Sequence, residues 1–133
     1  PPIFRPGYSR TGGNMVSDER GEAESWAKKF YREQIALLQA NQIDELIERH
    51  YHSDATLISF QEIARGHDSL KNYFKRSMQA LGKLEVTSID DFSETADALF
   101  FELTVHTRLG DSIVDEAFVV REGKVTHHFI TFR

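Results

Sequence analysis

Residues 99–109 read LFFELTVHTRL, and this stretch decides the fold. Leu99, Phe101, Leu103 and Val105 fall on one side of an extended chain, while Glu102, Thr104, His106 and Arg108 fall on the other. Strict alternation with period two is the mark of a half-buried β-strand. Working outward, Gly110-Asp111 makes a turn and 112–121 runs back; Glu122-Gly123 turns again and 124–133 closes a meander. Upstream, 84–92 is a first long strand and 93–97 its loop. Strands from residue 84 onward, with no helical periodicity among them, predict an antiparallel sheet.

Before residue 83 the period changes to that of helices. Ala23, Trp26, Ala27, Phe30, Tyr31, Leu37 and Leu38 form one apolar stripe, with Ser17 or Asp18 as its expected cap. Ile43, Leu46, Ile47, His50 and Tyr51 form a second, and Leu70, Tyr73, Phe74, Ser77 and Leu81 a third, ended by Gly82. A short strand, ATLISF over 55–60, lies between the second and third. Three helices followed by a strand meander define an α+β domain. Residues 1–16 hold all three prolines and read as an arm or an appended segment; the domain is expected over 17–133.

The strand at 112–121 is apolar on both faces: Ala117 and Val119 on one, Val114, Phe118 and Val120 on the other. A sheet wetted on one side should alternate, so cover on both faces is expected: helices inside, and outside either the rest of a curled sheet or a second subunit, which favours a homodimer through the outer sheet face.

Composition bounds the function. The 133 residues are 40% hydrophobic and 28% charged, with ten Phe. The net charge of −5 argues against nucleic acid as a partner. No apolar run reaches the ~20 residues of a membrane span. Cysteine is absent, which removes thiolate chemistry and suits a cytoplasmic location. No metal site is expected: His50 and His52 lack a third ligand at a matching spacing.

Three segments together resemble the nuclear-transport-factor-2-like superfamily, in its SnoaL-like and ketosteroid-isomerase-like branch. They are ANQIDELIERHYHSDAT at 40–56, RGHDSL at 65–70 and EGKVTHHF at 122–129. The resemblance implies a cone-shaped barrel, in which three N-terminal helices pack on a strongly curved mixed or antiparallel sheet and enclose a pocket. It also implies cofactor-free chemistry on a small apolar carbonyl or hydroxyl compound: isomerisation, cyclisation or dehydration. The alternative is a non-catalytic ligand-binding or dimerisation domain of the same fold.

On this resemblance His128 takes the place of a pocket histidine, sharing a face with Ile130 and Phe132, and is expected as the acid/base; a core histidine is the other reading. Asp115, eight residues before Gly123, takes the place of a pocket acid, against the alternative of a solvated carboxylate. Tyr31 is expected as a positioning hydroxyl, because Gln34 occupies the place of the isomerases' tyrosine. Trp26, Phe30, Gln34, Leu57, Ser59, Phe74 and Phe132 are expected around the ligand. Ser59 stands where the isomerases carry their general base, and an unassisted hydroxyl cannot take a proton from carbon, so that mechanism does not transfer.

Overall fold

In the computed structural model the described residues are 24–133. The expected arm over 1–16, the cap at Ser17 or Asp18, and Ala23 lie outside them. Ser25 caps the first helix, α1 (Trp26–Gln39), its hydroxyl accepting from the Lys28 amide at 3.2 Å. α1 buries Ala27, Phe30 and Gln34; α2 (Ile43–His50) buries Ile43, Leu46, Ile47 and His50; α3 (His67–Leu81) buries Leu70 and Phe74. Each set recurs at three or four residues, which puts it on one helical stripe. α2 packs against both α1 and α3 and touches the sheet at its own C-terminal side.

Six strands make one mixed sheet: β1 (Tyr51–Ile58), β2 (Ile63–Arg65), β3 (Glu85–Glu94), β4 (Ala98–Thr107), β5 (Gly110–Arg121) and β6 (Lys124–Phe132), in the order β2-β1-β6-β5-β4-β3. All pairings are antiparallel except β1 with β6, which run parallel and set Leu57 opposite His128. The β5–β6 hairpin turns on Glu122 (φ 54°) and Gly123 (φ 80°), two consecutive left-handed residues that match the twist of the flanking strands.

The α+β architecture holds, with two corrections. The sheet stays open, with β2 and β3 as its edges, so it is not a closed barrel. The strand read over 55–60 begins at Tyr51 and ends at Ile58, and β2 is an additional three-residue strand paired to it through Thr56–Arg65. The residues from Tyr51 to Asp54 offer no clean alternation, which is why the chemistry of His52-Ser53-Asp54 reads as a turn.

The core lies between helices and sheet. Leu99, Phe101, Leu103 and Val105 of β4 all face it, as their alternation requires, beside Val114 and Phe118 of β5. On the opposite face Phe100, Ala117 and Phe129 stand in one row across β4, β5 and β6, with Phe100 57% and Phe129 41% exposed. No helix among the described residues is long and apolar enough to cross a membrane.

Candidate functional site

Four buried or half-buried polar side chains form one hydrogen-bonded chain through the core. Gln34 Nε2 on α1 donates to Tyr51 Oη at 2.9 Å; Tyr51 Oη is 2.9 Å from His128 Nδ1; His128 Nε2 is 2.7 Å from Glu116 Oε1. Tyr51 and His128 are fully buried, and the Glu116 side chain is 14% exposed. Parallel pairing of β1 with β6 brings Tyr51 beside the strand that carries His128, and β5 supplies Glu116 from the next strand. The imidazole is stacked on Phe118, ring centres 4.0 Å apart, with Phe74 on its other neighbouring side at 6.0 Å.

Glu116 connects this chain to a cavity of about 60 Å³ between α1, α3 and the sheet. Its walls are mostly apolar, from Ile35, Leu81, Leu103, Val114 and Ile130 among others, with Tyr31, Gln34, Tyr73, Phe74, Glu116 and Phe132 also lining it. His128 does not line it; Glu116 stands in between. Among the described residues the second carboxylate oxygen, Oε2, has no hydrogen-bond partner. A wider, open groove of about 950 Å³ lies between the end of α3, Lys83–Glu85 and Arg108, and it shares Leu38, Met78 and Leu84 with the cavity. The smaller cavity, not the larger and more polar groove, is the one that Glu116 and Gln34 of the buried chain line.

Burial pushes the Tyr31 hydroxyl up to about 12, with the Glu116 carboxylate adding to the effect. The Tyr51 hydroxyl is raised well above its ordinary value by burial first and by the same carboxylate second. Both are therefore neutral donors at physiological pH.

Asp115 does not line the cavity. It points to the outer face, where Arg133 Nε donates to its Oδ2 at 3.0 Å and Nη2 of the same guanidinium donates to Glu102 Oε2. The inward residues of β5 are Val114, Glu116 and Phe118, because the bulkier apolar pair takes the core and carries the carboxylate between them inward. Ser59 also lies away from the cavity: it closes the β1–β2 turn, accepting from the Gln61 and Glu62 amides and donating to the Glu62 carbonyl. Trp26 donates its Nε1 to the Thr95 carbonyl at 3.0 Å, Phe30 packs edge-on against His50 and Phe118, and Leu57 is core. None of these three lines the cavity, whereas Tyr31, Gln34, Phe74 and Phe132 do. Tyr51 and Glu116 were missed from sequence. The available signal for Glu116 was its place between Val114 and Phe118 on an alternating strand. No group of three or more His, Asp or Glu able to hold a metal occurs among the described residues.

No protein-family model matches the sequence, and no curated protein matches it. Solved structures do. An NTF2-like protein from Anabaena variabilis superimposes with a TM-score of 0.69 at 17% identity, covering 80% of this chain and 86% of that one. A Sinorhizobium meliloti protein assigned provisionally as a polyketide cyclase gives 0.67 at 14%, over 77% and 94%. TerC, co-crystallised with polyporic acid, gives 0.66 at 16%, over 79% and 89%. The chain has the fold of the nuclear-transport-factor-2-like superfamily. Identities this low speak for the fold; activity must be argued from the site.

Proposed function

We propose that the chain binds a small, largely apolar organic compound bearing a carbonyl or hydroxyl group, and performs cofactor-free proton transfer on it. The reaction class is isomerisation, cyclisation or dehydration, as expected of the SnoaL-like and ketosteroid-isomerase-like branch of this fold. The observation that supports it is Glu116: a carboxylate on the wall of a mostly apolar cavity, held from behind by His128 and with one oxygen unpartnered.

In this reading Glu116 Oε2 takes a proton from the carbon next to the ligand carbonyl. The C–H electron pair becomes the C=C bond of an enolate as the carbonyl π pair moves onto oxygen, and the Tyr31 hydroxyl is the donor that stabilises that oxygen. Glu116 then returns the proton to a second atom of the ligand. His128 acts through Glu116 rather than on the ligand, which moves it from acid/base to positioning residue. Asp115 takes no part, and the pocket acid is Glu116. Ligands enter across Leu38, Met78 and Leu84, since 60 Å³ is well below the few hundred of a typical ligand site and the cavity must widen.

A second reading, a non-catalytic binding or dimerisation domain, is favoured by that small volume and by the exposed row Phe100, Ala117 and Phe129. The same row is the proposed homodimer surface; Phe129→Glu should turn a sedimenting dimer into a monomer. A single domain over 17–133 and a cytoplasmic location complete the proposal.

The experiment is solvent-deuterium exchange into a panel of cyclic and aryl ketones, followed by NMR, with ligand-induced thermal shift measured in parallel. Exchange by the wild type that disappears in Glu116→Gln supports the catalytic reading. Thermal shifts without exchange favour the binding reading. Neither signal with any ketone overturns the pocket function.

A further inference from the structure

The hydrogen-bond chain has a direction, and the direction fixes where the protons sit. Gln34 presents its amide nitrogen to Tyr51, so the Tyr51 oxygen is an acceptor on that side. A phenol has one proton, and the remaining partner of Tyr51 is His128 Nδ1 at 2.9 Å. Tyr51 therefore donates to Nδ1, and Nδ1 carries no hydrogen. The single proton of the ring is left on Nε2, which faces Glu116 Oε1 at 2.7 Å. That oxygen must accept.

We infer that Gln34 and Tyr51 are positioning residues that hold His128 as the neutral Nε2–H tautomer, so that Glu116 presents its cavity-facing oxygen as a proton acceptor. Burial supports the arrangement. Tyr51 and His128 are fully enclosed, the ring is stacked on Phe118, and the Tyr51 hydroxyl is held neutral far above its ordinary value. Water cannot exchange roles with any of the three inner groups, so the polarity set by one amide on α1 is transmitted to a carboxylate on β5.

The inference rests on the proposed function only for its meaning, and it narrows the ligand. The group meeting Glu116 must bring a proton: a hydroxyl, or an acidic C–H beside a carbonyl. A ligand oxyanion would face an acceptor and be rejected there; its place is nearer Tyr31.

The test needs no ligand. Long-range ¹H–¹⁵N correlation spectra of the ¹⁵N-histidine-labelled chain report the protonation of each ring nitrogen. Wild type should show His128 with Nε2 protonated and Nδ1 bare but hydrogen-bonded near neutral pH. Tyr51→Phe should move Nδ1 toward the shift of a free ring nitrogen. In Gln34→Leu the Tyr51 oxygen is free to accept from the ring, and a population protonated on Nδ1 should appear. An Nδ1–H ring or an imidazolium in wild type overturns the inference, as does a Gln34→Leu spectrum identical to wild type. Should a variant fail to fold, the wild-type spectrum still decides. A correct tautomer with no ketone exchange would overturn the proposed reaction while leaving this proton arrangement standing.

Discussion

His128 Nε2 lies 2.7 Å from Glu116 Oε1, although the two residues are not directly opposed: the register pairs His128 with Phe118 and Glu116 with Ile130. The bond is diagonal across the β5–β6 ladder and needs two long side chains on the same face. It leaves Phe118 beneath the ring and turns the carboxylate toward the cavity.

Glu116→Gln keeps the size of the side chain and can still accept from His128, but it has no basic oxygen. Its folding stability should stay within about 1 kcal/mol of wild type by urea unfolding, since one accepting contact is preserved. Proton transfer on a competent ketone should fall by roughly 10²–10⁴, the usual contribution of a positioned base.

His128→Ala removes a fully buried ring and leaves Tyr51 and Glu116 without their shared partner. Cavity formation and two orphaned polar groups together should cost about 3–5 kcal/mol in chemical denaturation. A loss below 1 kcal/mol would show that the ring is not packed as described.

Tyr31 and Tyr51 make the protein sensitive to alkali. Their hydroxyls ionise above the ordinary value of 10 when folded, to about 12 for Tyr31 and well beyond 10 for Tyr51, so above pH 10 the unfolded chain loses these protons first. The stability they contribute is complete below pH 10 and is lost as pH rises toward their folded values. Urea midpoints between pH 9 and 11.5 should fall, and Tyr51→Phe should flatten that fall, while phenolate absorbance shows Tyr31, Tyr51 and Tyr73, the last also raised by burial, titrating late.

His50 acts on the acid side. Burial lowers its tendency to protonate below the ordinary 6.5, and its Nε2 has no hydrogen-bond partner, Glu33 being 3.9 Å away. Stability from keeping it neutral is full above pH 6.5 and declines as pH falls through its folded value. The difference in unfolding free energy between wild type and His50→Phe should therefore shrink or reverse as pH drops from 7 to 5.

The fold was legible because both periods are clean. The β4 alternation put Leu99, Phe101, Leu103 and Val105 inward as observed, and the helical stripes fall within the observed α1, α2 and α3 apart from Ala23, which lies outside the described residues, and Tyr51, which begins the strand. The site was legible only in part. His128 was placed on the inner face because it shares that face with Ile130, and the structure buries it there; Asp115 was chosen by counting from Gly123 and lies on the outer face, and a one-residue error reverses a side chain's face. The β5–β6 ladder also slips by a residue opposite Val119 and Val120, where β6 carries Thr126 as an extra, so faces on β6 cannot be read across from β5 without the structure. Tyr51 looked like the last residue of a helical stripe; only the parallel pairing of β1 and β6, a long-range event, turns its hydroxyl to His128.

That parallel pairing also sets a temporal order. Tyr51 precedes His128 by more than seventy residues, so during synthesis the first strand must wait for all of them before its partner exists. Closing so long a loop is among the slow steps of folding. The proton chain through the core therefore forms only once β6 is in place: without that strand the β2-β1 pair is cut off from β5-β4-β3, and Glu116 has no His128 behind it.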